Sequence, residues 1–164
     1  MVILMPSEPA PRLQIAFLTG QSDPRSCALS PQQIAFGQAL LAPGRLLRRQ
    51  NFPYRQDSPA HAPVPLWRAS WNNSRQHLAS RGPGFARSHR AAVVQMLQAA
   101  PHTLLLAGSC GSELPAHLAL PPEAQQRTSL PAYGPVSRPL PASSRLLTVR
   151  GEQAWISRWG FGAA

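Results

Sequence analysis

The clearest periodicity in the chain runs from Phe85 to Ala100. Phe85, His89, Ala92, Val93, Met96, Leu97 and Ala100 fall on one face of a 3.6-residue repeat, and Pro101 closes the pattern, so an amphipathic helix is predicted there. Two other stretches are continuously apolar. "LQIAFLTG" (13–20) and "HTLLLAGS" (102–109) read as strands covered on both faces of a parallel sheet. "RLLRRQNF" (45–52), "RTSLPAYGPVS" (127–137) and "SRLLTVRGE" (144–152) read as further strands, the last with alternation and β-branched residues. Ser30 followed by Pro31 is a helix start, because the hydroxyl can cap an orphan amide and proline at the first helical position has none to satisfy. The helix "PQQIAFGQALLA" (31–42) would set Ile34, Gln38 and Leu41 on one side, with Phe36, Ala39 and Leu40 close by, and stop at Pro43-Gly44. Trp67 and Trp71, four residues apart, predict a short helix that packs both rings into the interior. The proline-rich segment between Asn51 and Leu66 reads as an irregular surface connection.

Strands alternating with helices imply an α/β fold: a mostly parallel sheet of about five strands with helices on both faces, because parallel neighbours need right-handed crossovers. One domain over residues 13–159 is expected, preceded by a disordered segment, 1–12, and followed by a tail, 160–164. The 19 prolines and 11 glycines, with only 13% charged residues, add that the elements are short and separated by firm breaks.

Charge changes the picture little. All 16 basic residues are arginine, against six acids, for a net charge of +10. They lie in small clusters such as Arg45, Arg48 and Arg49, or Arg81, Arg87 and Arg90, which reads as a solvated surface with weak, salt-sensitive affinity for polyanions. A specific nucleic-acid partner is not expected. Cys27 and Cys110 have neither CxxC spacing nor a disulfide-rich context, so no metal site is predicted and a reducing compartment fits. The opening "MVILMPSEPAPR" makes a poor leader peptide, and no run reaches the roughly 18 apolar residues of a membrane span, so a cytoplasmic location and no membrane partner are expected.

The candidate chemistry is in "LLLAGSCGSELPAHL" (104–118). Ligands gather at the carboxyl ends of parallel strands, and Cys110 sits at such an end. Gly108 and Gly111 flank the turn and permit a tight bend with close backbone approach. If "SELPAHLAL" is helical, its first amides would favour a thiolate at Cys110. Asp23, Glu113 and Glu152 read as solvent-exposed acids, His89 as a core or edge histidine, and His117 as lying two turns along the next helix, away from the bend.

Strand, Gly-x-nucleophile-x-Gly, helix resembles the nucleophile elbow of the α/β-hydrolase superfamily, with Gly108 as the first glycine, Cys110 as a cysteine nucleophile and Ser112 standing where the last glycine would be. The order of elements is similar too: 13–19 would be the family's third strand, 45–52 its fourth, 103–107 its fifth, 128–136 its sixth and 145–150 its seventh. The resemblance therefore implies an incomplete hydrolase-like sheet in the order 4-3-5-6-7. It implies an oxyanion hole formed by the N–H of Gly111 and one near Gly20 and Gln21. It also exposes two departures. In "VRGEQAW" Ala154 occupies the place of the family's aspartate, with Glu152 two positions early, and all five histidines precede the last strand.

Two functions are weighed on this basis. One is a degenerate or truncated hydrolase-like protein without a complete triad, which works by binding. The other is a cysteine-nucleophile hydrolase or acyltransferase acting on a small ester or thioester, with Cys110 as nucleophile and Glu152 as the acid. No cofactor is expected, since neither "LTGQS" nor "LAGSCGS" completes a phosphate-binding signature. Exposed sheet edges predict a homo-oligomer.

Overall fold

The computed structural model describes residues 11–133 and 146–149. Five strands, β1 (Leu13–Thr19), β2 (Arg45–Asn51), β3 (His102–Gly108), β4 (Thr128–Tyr133) and β5 (Leu146–Val149), form one sheet in the order β2-β1-β3-β4-β5. All four pairings are parallel. This is the α/β architecture that the alternation of strands and helices predicts, and its strand order matches the one implied by the resemblance. Helix α1 (Pro31–Ala39) links β1 to β2, and α2 (Leu66–Ser80) with α3 (Phe85–Leu97) links β2 to β3. A 3-10 turn (Ser109–Ser112) and two short helices, α4 (Leu114–Leu118) and α5 (Pro122–Gln126), lead from β3 to β4.

The period of two in β1 divides the core into two layers. Ile15 and Phe17 point toward α1, where they meet Leu29, Leu47 and Leu106, with Ile34 and Leu40 packed against them. Ala16 and Leu18 point the other way, into a larger cluster with Phe52, Phe85, Val93, Met96, Leu105 and Leu118. Helices therefore cover both faces. Gln14 also points into this second layer and is fully buried, its amide donating to the Met96 carbonyl (2.7 Å) and to Thr103 Oγ1 (2.8 Å).

Helix α1 begins as its sequence dictates. The Gln33 amide donates to Ser30 Oγ (3.2 Å) while Gln33 Oε1 accepts from the Ser30 amide (2.9 Å), a reciprocal capping box with Pro31 at the first helical position. Its inner face differs from the expected one. Ile34, Gly37 and Leu40 face the sheet, whereas Gln38 and Leu41 are exposed. Gly37 decides this, since a Cβ there would stand 2.6 Å from Leu47 Cδ1, so the helix approaches β2 along its only residue without a side chain.

The periodicity of α3 holds: Phe85, Val93, Met96, Leu97 and Ala100 are buried. The expectation for α2 does not. Trp67 and Trp71 share a helix, but their rings are 74% and 64% exposed, because the polar residues of α2 are the ones that face the protein.

Candidate functional site

From β1 the chain steps outward to β2, then returns past β1 to β3 and continues to β4. The reversal leaves a crevice at the carboxyl ends of β1 and β3, the place where parallel sheets of this kind hold ligands. The loop after β1 starts at Gly20, and the turn after β3 starts at Ser109. Thr19 and Gly108 are paired in the ladder, so the two segments emerge side by side.

Their approach is closer than side chains would allow. A Cβ on Gly111 would lie 2.7 Å from Thr19 Cα, and one on Gly108 would lie 2.6 Å from Tyr133 Oη. A Cβ on Gly20 would stand 2.6 Å from Cys110 Sγ and 2.7 Å from Asn73 Oδ1. The expectation that Gly108 and Gly111 permit close approach thus holds. The unusual backbone angle belongs to neither of them but to Ser109, at φ 53°. A non-glycine residue in this left-handed region is uncommon, and such residues gather at functional turns.

Ser109 and Cys110 point to different surroundings. Ser109 is exposed at the apex of the turn and lines a cleft of about 290 Å³ together with Thr19, Gly20, Gln33, Asn73 and Tyr133. Ser112 Oγ donates to the Ser109 carbonyl at 2.7 Å and fixes the bend from below. Cys110 is only 7% exposed and sits beneath the apex against Gly20 and Asn73. Burial pushes its thiol pKa up. That direction is opposite to the one that would favour a thiolate. The segment after the turn is a 3-10 turn and then a five-residue helix, so no long helix dipole points at the sulfur.

Polar side chains at the strand ends tie the cleft together. Thr19 N donates to Asn51 Oδ1 (2.9 Å), Asn51 Nδ2 donates to Thr19 Oγ1 (2.9 Å), and Gln33 Nε2 donates to Thr19 Oγ1 (3.1 Å). Burial raises the Tyr133 pKa, with a hydrogen bond from Gln33 acting against it. The Gln21 amide donates to Gln76 Oε1 at 2.8 Å, so this N–H, expected in an oxyanion hole, already has an acceptor on α2. Glu152 and Ala154 lie outside the described residues. A neighbouring polar cleft of about 260 Å³, lined by Gln21, Asp23, Ser26 and His61 among others, continues from Gly20.

Two expectations for the acids need correction. Glu113 is fully buried, with Oε2 3.5 Å from Arg81, 3.6 Å from His77 Nδ1 and 3.5 Å from His117 Nε2. A carboxylate there is tolerated because cationic and imidazole groups surround it. Asp23 is largely covered and pairs with Arg25 at 3.1 Å; the hydrogen bond from Arg25 lowers its pKa. His89 packs on the rings of Phe52 and Phe85, as expected of a core-edge histidine, and burial lowers its pKa. None of the histidines lines the Ser109 cleft among the described residues.

Sequence reasoning missed Ser109, Asn73, Gln33 and Tyr133. A signal for Ser109 and Tyr133 was present, since the first directly follows β3 and the second ends β4. No family model matches the chain, and no curated protein or solved structure is significantly similar to it. No arrangement of three or more His, Cys, Asp or Glu side chains among the described residues could hold a metal ion.

Proposed function

We propose that this domain is a degenerate α/β-hydrolase-like protein that binds a small ester or thioester at the switch point, with Ser109 in place of Cys110 as the attacking group. The observation that carries this reading is the positive φ of an exposed Ser109 at the apex of the strand-to-turn bend. A hydroxyl held on such a bend is the arrangement of a serine elbow, in which the next residue's N–H faces the developing oxyanion. In this register Ala107 takes the place of the first glycine and Gly111 that of the last. Cys110 then supplies its backbone amide, and its buried sulfur, its thiol pKa raised by burial, packs under the turn.

Attack joins Ser109 Oγ to the acyl carbon, breaks the bond to the leaving alcohol or thiol, and passes the hydroxyl proton through water to that group. Water later cleaves the acyl-serine. Hydrolysis of the acyl-serine is the slower step, because no histidine among the described residues lines the cleft to activate the water. Binding therefore outweighs turnover.

Rapid mixing with p-nitrophenyl acetate tests the reading. A burst approaching one p-nitrophenolate per chain, followed by a slow phase, is expected from the native protein and from Cys110→Ala, and no burst from Ser109→Ala. A burst that vanishes only in Cys110→Ala would return the role to the cysteine, and equal release from all three proteins would end both readings.

A further inference from the structure

Helix α2 is built inside out. Its inner side is polar: Asn72 Nδ2 donates to the Ser22 carbonyl (2.7 Å), Gln76 Oε1 accepts from the Gln21 amide (2.8 Å), and His77 and Arg81 reach the buried Glu113. Its outer side is apolar. Trp67, Trp71 and Leu78, at spacings of four and seven, form one stripe exposed to water, with Leu66 exposed at the helix start. Water-facing indoles and leucines in a continuous stripe are unfavourable unless something covers them, and stripes of this kind mark interaction sites.

The surrounding charge identifies what fits. Arg68 and Arg75 are exposed on the same helix, and residues 66–97 contain five arginines and no carboxylate. A second copy of the chain would bring these arginines against their own counterparts. An anionic bilayer would neutralise them while the two indoles settle at headgroup depth, the placement tryptophan prefers. At 15 residues α2 is suited to lie on a membrane, and no described helix is long and apolar enough to cross one.

We infer that the outer face of α2 docks on an anionic lipid surface, with Trp67, Trp71 and Leu78 entering the interface and Arg68 and Arg75 contacting headgroups. This docking is independent of the Ser109 chemistry. Co-sedimentation with phosphatidylcholine vesicles, with and without phosphatidylserine, tests it. Binding is expected on the phosphatidylserine vesicles and to weaken with added salt. Partitioning should fall on the order of tenfold in a Trp67→Ser/Trp71→Ser double variant, and Arg68→Gln/Arg75→Gln should lose the preference for phosphatidylserine. Both variants should melt like the native protein, because the replaced side chains are exposed. Absence of binding, or equal binding by the tryptophan variant, overturns the inference. A dimer on size exclusion that the tryptophan variant dissolves would assign the stripe to a second copy. A lower melting temperature in that variant would mean that the chain itself covers the stripe, and either result also overturns it.

Discussion

Gly20 and Cys110 belong to different strand ends, yet the glycine's missing side chain is the space that the sulfur occupies: a Cβ on Gly20 would stand 2.6 Å from Cys110 Sγ. Gly20→Ala should therefore overpack the switch point and cost about 1–3 kcal/mol of stability. Truncating the sulfur makes room on one side, so Cys110→Ala should recover part of that loss, with Asn73 Oδ1, 2.7 Å away, retaining the rest. Chemical denaturation of the two single variants and the double variant measures the coupling. Strictly additive losses would mean that the two residues do not share this space.

Ser109 holds a backbone conformation that glycine adopts without cost. Ser109→Gly should stabilise the fold by up to about 1 kcal/mol, while Ser109→Val, β-branched in the left-handed region, should destabilise it by about 1–2 kcal/mol. Thermal melts give the sign of each change. A more stable Ser109→Gly that no longer reacts with esters would identify the turn as a place where stability is given up for presentation of the hydroxyl.

Glu113 ties α2 to the segment below the elbow through Arg81, His77 and His117. Glu113→Ala removes a fully buried carboxylate and leaves the groups around it without their shared acceptor. Arg81 is half exposed and can turn to water, which moderates the loss to about 2–3 kcal/mol. The urea midpoint should fall accordingly. An unchanged midpoint would mean that the cluster adds nothing to the docking of α2.

His89 makes stability depend on pH in a definite direction. Burial against Phe52 and Phe85 lowers its folded pKa below the ordinary histidine value of 6.5, so the unfolded chain takes up the proton first as pH falls. Its contribution is present above pH 6.5 and is lost progressively as pH drops through the lowered folded value. The difference in melting temperature between the native protein and His89→Leu should therefore grow in favour of the variant below that pH. A difference independent of pH would contradict the burial of the neutral ring.

The sheet was readable because β1 and β3 are apolar on both faces, and the alternation of strands and helices leaves few topologies. The cap of α1 was equally plain from Ser30, Pro31 and Gln33. What escaped were relationships between distant segments. The spacing of Trp67 and Trp71 is the same whether the rings face in or out; only the polar contacts of Asn72 and Gln76 with the Gln21–Ser22 loop decide it. Glu113 looks like a surface acid until α2 brings Arg81 and His77 to it. The proposed reading moves the nucleophile of the elbow by one position. "AGSCGS" accommodates a nucleophile at 109 or at 110, each with one glycine and one other small residue in the flanking places. The backbone angle that separates the two leaves no mark on composition.

The measurement that tests the central claim most directly is site mapping of covalent adducts. The folded protein is treated in parallel with an organophosphonate directed at hydroxyl nucleophiles and with iodoacetamide, and the 102–118 region is sequenced by mass spectrometry. The account predicts phosphonylation of Ser109 and slow alkylation of Cys110 until the protein is unfolded. Rapid alkylation of Cys110 in the folded protein, with Ser109 unmodified, would contradict it.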